Sequence, residues 1–285
     1  MSRKIIGVIC NSCIVGMLAS PAAATNIGSC GVTLTSGTYD LVNDVSTSSG
    51  DCITITPSGT VTFDLNDHTI SCTSGTDCGQ NSAAVQVTNS GQKVTVKDGT
   101  ISGPFANGVR ADFLSLTNNI IADSLDVSGI VQNASFLTPS AALLVSAAEN
   151  NVIHDITNAT AIWWVPNPGA TAAAQAVVDN MIDCDSCTGI LISSAYTSTT
   201  GAAPRIRENY IRTSGTGISD VFSTGRSEIV DTNIFTSTGS GSPIALDVQP
   251  SLTTVADPAG ICDRSTAGTS FGANCGLPLP PFVLP

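Results

Sequence analysis

One spacing constrains this chain more than any other feature. Ile70, Ile101, Ile121, Ile153, Ile182, Ile211 and Ile234 are separated by 31, 20, 32, 29, 29 and 23 residues. Five positions before them stand Leu65, Val96, Leu116, Ala148, Val177, Ile206 and Ile229, all apolar. Three positions before them stand Asp67, Asp98, Asn118, Asn150, Asp179, Glu208 and Asp231, residue types that suit a turn. From Ile101 onward a small residue or proline is followed by isoleucine or valine, as in Gly108-Val109, Gly129-Ile130, Ala161-Ile162, Gly189-Ile190, Gly217-Ile218 and Pro243-Ile244. The unit reads as strand, polar turn, short strand, small-residue turn, strand.

No single unit of this kind can bury its apolar face, so the units must stack. Short strands stacked at a repeat of this length form a β-solenoid, each coil pairing in parallel with the next about 4.8 Å away. Alternation in Val61-Thr62-Phe63 and Val94-Thr95-Val96 turns every second side chain inward. Helix is disfavoured because Gly, Thr, Asn and β-branched residues recur throughout; the best helical stretch, residues 170–178, fits the repeat through Val177. Two positions before four successive isoleucines stand Asn119, Asn151, Asn180 and Asn209, which predict a ladder of amides at one bend.

The opening Gly37-Thr38-Tyr39-Asp40-Leu41 leads to Val61-Thr62-Phe63-Asp64-Leu65-Asn66-Asp67-His68-Thr69-Ile70, then to Val94-Thr95-Val96-Lys97-Asp98-Gly99-Thr100-Ile101-Ser102-Gly103. In these segments the chain resembles the right-handed parallel β-helix proteins of the pectate-lyase-like superfamily. The resemblance implies an all-β, single-stranded right-handed parallel β-helix of about eight or nine coils. It does not choose an activity, since this fold carries lyases, hydrolases, epimerases and non-catalytic adhesins. Polygalacturonase signatures are missing: there is no Asp-Asp and no Gly-His-Gly, and only Arg205-Ile206-Arg207 is similar to their Arg-Ile-Lys. The Arg-x-Pro-x-x-Arg of many pectate lyases is absent as well.

The ends read differently. Arg3 and Lys4, an apolar stretch from Ile5 to Leu18 and Ala22-Ala23-Ala24 have the form of a signal peptide over residues 1–24, too short and interrupted to anchor in a bilayer. The helix domain is expected over 25–250, and a proline-rich cap, stapled by cysteines, over 251–285. Export places the protein outside the cell or in a periplasm. Outside the leader stand Cys30, Cys52, Cys72, Cys78, Cys184, Cys187, Cys262 and Cys275, an even set that argues for disulfides. Closeness along the chain makes Cys72–Cys78, Cys184–Cys187 and Cys262–Cys275 the simplest pairs, with Cys30–Cys52 left over. Cys184-x-x-Cys187 has the alternative of a redox pair or half a zinc site, but no second ligand pair accompanies it. A formal net charge of −12 repels nucleic acid, and 42% hydrophobic against 11% charged residues excludes a disordered acidic chain.

Chemistry is sought where equivalent residues of neighbouring coils meet. Asp123, His154, Asp155, Asp183, Asp185 and Arg212 all follow the isoleucine positions closely. The carboxylates Asp123, Asp155, Asp183 and Asp185 are a candidate oxygen cluster for Ca²⁺. His154, Asp155 and Arg212 are candidates for proton abstraction beside a uronate carboxylate, the chemistry of a polysaccharide lyase or epimerase. The competing reading is an acidic solvated turn. Trp163, beside an inward Ile162, is expected to face outward as a platform for a sugar ring, and Arg207 to hold a carboxylate or sulfate. Arg205 is expected to pair across coils with Glu228, and His68 to be structural. The expected partner is an acidic polysaccharide or other glycan, bound or modified; the alternative is a non-catalytic extracellular surface or structural protein.

Overall fold

A computed structural model describes residues 23–75, 77–88, 91–111, 119–131, 140–165, 176–192, 205–220, 227–229, 234–236, 244–246, 253–255 and 262–263, with only the backbone of Asp185 and of residues from 220 onward. Among these residues there are strands and no helix. Every pairing between named strands is parallel, within one 17-stranded and one 9-stranded sheet. Strands that pair lie one repeat apart in sequence, an order consistent with a β-solenoid.

The larger sheet has two arms, joined by the continuous strands Lys93–Ser102 and Asn119–Ser128. The bend between the arms falls on residues with positive φ: Asp67 (62°), Asp98 (55°), Ser124 (54°), Asn150 (56°), Asp179 (55°) and Glu208 (60°). Asp and Asn tolerate this left-handed backbone better than most residues. The polar column of the repeat is therefore a column of corners.

Three inward stacks form the core. Phe63, Val96, Ala122, Ala148, Val177 and Ile206 stack in the first arm. Ile70, Ile101, Val127, Ile153, Ile182 and Ile211 stack in the second. Ile53, Val85, Val109, Leu143, Ile162, Ile190 and Ile218 stack in the smaller sheet. All of them are fully buried, each larger side chain contributing about 1.5–3 kcal/mol.

The register corrects the repeat in three places. Val127, not Ile121, stacks between Ile101 and Ile153, and Ala122 and Phe63 take the places expected for Leu116 and Leu65. Near the end Phe235, not Ile234, pairs with Ile211. Asn119 consequently leaves the amide ladder: it pairs with Lys93 in the first arm, and Leu125 stands at the ladder's next step. Leu116, Asn118, Asp231 and Pro243 lie outside the described residues.

Parallel pairing continues past residue 250, through Thr253–Val255 on Ser227–Ile229 and Cys262–Asp263 on Ile234–Thr236. The β-branched Thr253-Thr254-Val255 keeps strand character between the prolines. Cys30–Cys52, Cys72–Cys78 and Cys184–Cys187 form bridges with Cα separations of 4.5, 6.0 and 5.9 Å, which suits an oxidising environment. Residues 1–22 and 264–285 lie outside the described residues, and with Cys275 the expected Cys262–Cys275 pair does too. Among the described residues no helix is long and apolar enough to cross a membrane.

Candidate functional site

The outer face of the second arm carries the site. Because Ile153, Ile182 and Ile211 point inward, the residues that follow them point outward, and period two along each strand makes the outer face as regular as the core. Ser128, His154, Asp183, Arg212 and Thr236 succeed one another coil by coil. In the sequence Asp155, Asp183 and Arg212 read as successive members of this turn; the register keeps Asp183 and Arg212 but puts His154 in the place of Asp155.

Their side chains are already engaged. Arg212 grips Asp183 with two nitrogens, Nε donating to Oδ1 at 2.6 Å and Nη2 to Oδ2. This fork geometry is the strong form of an arginine–carboxylate pair. The Asp183 side chain is 13% exposed and that of Arg212 49%, so the pair is sunk on one side and open on the other. His154 lies between two carboxylates, Nδ1 at 2.7 Å from Asp155 and Nε2 at 3.1 Å from Asp126. Carboxylates only accept, so a neutral ring donates to one of them and an imidazolium to both.

Asp155 reaches this position through a bulge. The register shifts between His154 and Ile156, and Asp155 takes positive φ (53°) as the extra residue, leaving its side chain 78% exposed. A groove of about 210 Å³ runs between the bulge and the pair, lined by His154, Asp155, Thr157, Asp183, Cys184 and Arg212. It is smaller than a pocket for a drug-sized ligand and suits a single sugar unit or carboxylate.

The other candidates fall elsewhere. Asp123 lies in the first arm, accepting from Asn150 Nδ2 at 3.1 Å and from Ser124 Oγ at 3.0 Å. Asp185 is opposite Thr157 by backbone register. Among the described residues no three His, Cys, Asp or Glu side chains converge as metal ligands do, since Asp183 is taken by Arg212 and Asp155 by His154. Trp163 is not an exposed platform: it is 5% exposed, standing in register between Leu144 and Leu191, which are buried too. Its alternation with Ile162 is as expected, but the outer side of the smaller sheet is itself buried at this place. Arg207 is half-exposed and bonded to the adjacent Glu208, and Arg205 is opposite Glu228 in register, as expected.

Sequence reasoning missed Asp126 and did not consider Tyr210. Asp126 is the second carboxylate on His154, and the misplaced turn at Asn118 hides the true frame of that coil. Tyr210 is outward on the same strand as Arg212, two residues before it, and the alternation Tyr210-Ile211-Arg212 is the signal for it.

Comparison with known proteins finds no family model, no curated protein and no solved structure that matches this chain. What the structure defines is a class: an all-β protein of parallel stacked strands with a mixed-charge groove on one outer face.

Proposed function

We propose that the chain is an exported right-handed parallel β-helix protein of about eight or nine coils, of the pectate-lyase-like kind, that engages an acidic polysaccharide along the second arm. The nine strands of the smaller sheet, one for each turn of the chain, support the coil number. The leader and the three bridges support export.

The observation that carries the binding reading is the groove that the half-exposed Arg212, paired with Asp183, lines together with the exposed Asp155. A uronate carboxylate would join or displace Asp183 at the guanidinium, and Asp155 and Thr157 would accept from sugar hydroxyls. In a lyase or epimerase, Arg212 would neutralise the uronate carboxylate, making the adjacent C–H more acidic. The Asp155–His154 pair would take that proton. For a lyase, the C–H electrons then form a C=C bond as the neighbouring C–O bond breaks and the leaving oxygen is protonated. For an epimerase, a proton returns to the same carbon on the opposite face.

A second reading rests on one observation: His154 and Arg212 both have their nitrogens engaged by neighbouring carboxylates, as a structural ladder on a non-catalytic extracellular protein would. The deciding experiment measures ultraviolet absorbance of unsaturated product and binding over a panel of polyuronates, for the wild type, Asp183→Asn and Arg212→Ala. Binding weakened about tenfold in Arg212→Ala, with melting within a few degrees of the wild type, supports the proposed site, whereas earlier melting without a loss of binding marks the pair as structural. Wild-type binding in both variants removes the site assignment, and binding to no polyuronate by the wild type removes the function.

A further inference from the structure

Beside the charged column runs a second one. Two residues before His154, Asp183 and Arg212 on the same outward face stand Val152, Met181 and Tyr210, aligned coil on coil. All three are only partly buried, although nothing in the alternation requires apolar residues on an outer face. In the preceding coils the equivalent positions hold Thr69, Thr100 and Asp126, and the column beside them holds Ser71, Ser102 and Ser128. The outer face thus changes from hydroxyl-rich to half apolar and half charged on these three strands, with the groove on one side of the charged column and the apolar column on the other.

An apolar strip rimmed by polar groups marks a binding surface more often than a solvated one. Arg212, two residues beyond Tyr210 and half-exposed beside its partner Asp183, is the cation that a ligand lying on the strip would meet. A pyranose carries C–H groups on one ring face and hydroxyls at its edge, so the apolar face suits an aromatic ring while the edge needs polar partners. A sugar seated on Tyr210 and Met181 would place an exocyclic carboxylate towards Arg212, since positions i and i+2 on one strand face are about 6.6–6.8 Å apart. Tyr210 thereby takes the part that Trp163, buried in the smaller sheet, does not play.

Resting on the glycan reading above, we infer that Tyr210, backed by Met181, is the sugar-stacking residue of the site, and that the ligand unit is a pyranose bearing a carboxylate. Tyr210 is a binding and positioning residue, separate from the proton-transfer groups.

The test uses the intact protein with Tyr210→Ala, Tyr210→Phe and Arg212→Ala, titrated calorimetrically with an oligogalacturonate, with its methyl ester and with a neutral oligosaccharide of the same length. Tyr210→Ala is expected to weaken binding of both the acid and its ester about five- to tenfold, Tyr210→Phe by less than twofold, and Arg212→Ala to abolish the preference for acid over ester. Melting of each variant within a few degrees of the wild type shows that the losses are local. If Tyr210→Ala binds the acid like the wild type while Arg212→Ala does not, the stacking role is wrong and the groove survives. If Tyr210→Phe loses as much as Tyr210→Ala, the hydroxyl rather than the ring is at work and stacking is refuted. If the wild type binds none of the three probes, the glycan reading falls and this inference with it.

Discussion

The corner between the two arms is built in two ways along the same molecule. In the later coils the residue after the left-handed position is Asn151, Asn180 or Asn209, each buried. In the earlier coils that position holds His68, Gly99 or Leu125, and Leu65 fills the space beside Gly99. A Cβ on Gly99 would lie 2.3 Å from Leu65 Cβ and 2.8 Å from the His68 carbonyl, so the glycine is demanded by close approach. One half of the corner is therefore an apolar plug and the other a chain of amides. The same backbone corner accepts both because it asks only that its interior be filled and its backbone groups be paired.

The two halves should fail differently. Asn180 accepts from Asn151 Nδ2 at 2.8 Å and from the Asn151 backbone at 3.1 Å. It donates to the carbonyls of Ala148 at 2.9 Å and Val178 at 3.0 Å and to Asn209 Oδ1 at 2.9 Å. Asn180→Leu removes all of these at once: the Asn151 N–H loses its acceptor, and Asn151 Nδ2, the Val178 carbonyl and Asn209 Oδ1 are each cut back to their other partner. With about 1–3 kcal/mol for the orphaned amide, the weakening of the rest of the ladder and a leucine forced into an amide-lined corner, a loss of about 4 kcal/mol is expected, larger than for any other substitution proposed in this molecule. Urea unfolding would read it as a lower midpoint. A variant within about 1 kcal/mol of the wild type would show that the amide ladder is replaceable by the apolar solution of the earlier coils.

Leu125→Ala probes the other half. Leu125 is buried at the seam where the plug meets the ladder, and its N–H donates to Asn151 Oδ1 at 3.0 Å through the backbone, which the substitution keeps. The loss is then one of packing alone, about 3 kcal/mol for a leucine that cannot be replaced by relaxation of its neighbours. Unfolding of this variant should respond to repacking: Leu125→Met is expected to recover most of the stability, whereas no conservative apolar change should rescue Asn180.

This contrast also explains which parts of the molecule are legible in its sequence. Ala148, Val177, Ile206 and Ile229 succeed one another in register, as the spacing predicts, because each is followed by a turn residue of the expected type. In residues 119–128 two apolar pairings compete, Ile120-Ile121 and Leu125 with Val127. The true corner there is Ser124, a residue with no amide or carboxylate to announce it. Asn119 therefore reads as part of a ladder that begins only at Asn151. For the site, His154, Asp183 and Arg212 are legible because they lie one step beyond regular core positions. The exposure of Asp155 is not, since a bulge adds a residue that breaks the alternation. Trp163 misleads for a different reason: alternation tells which face of a strand a side chain takes, and says nothing about what lies over that face.

The smallest expected effect concerns the outside of the corner. In the earlier coils it is tied by charge: Lys97 Nζ donates to Asp64 Oδ2 at 2.6 Å and to the Asp98 carboxylate at the left-handed position. The hydrogen bond with Asp64, followed by that with Asp98, raises the lysine above its ordinary range. A raised lysine stabilises the folded state fully below its ordinary value, and that contribution is lost only as pH climbs through the higher folded value. Since the lock is partly solvated, Lys97→Met is expected to cost less than about 1 kcal/mol at neutral pH. The sharper observable is the pH dependence of the difference in melting between wild type and variant. It should stay level from neutral pH to about 10.4, where an unperturbed lysine would already be losing its proton, and shrink only beyond. A gap that stays level through and well beyond about pH 10.4 would mean that neither carboxylate holds Lys97 in solution. The apolar plug would then keep the earlier half of the corner in place without help from its surface.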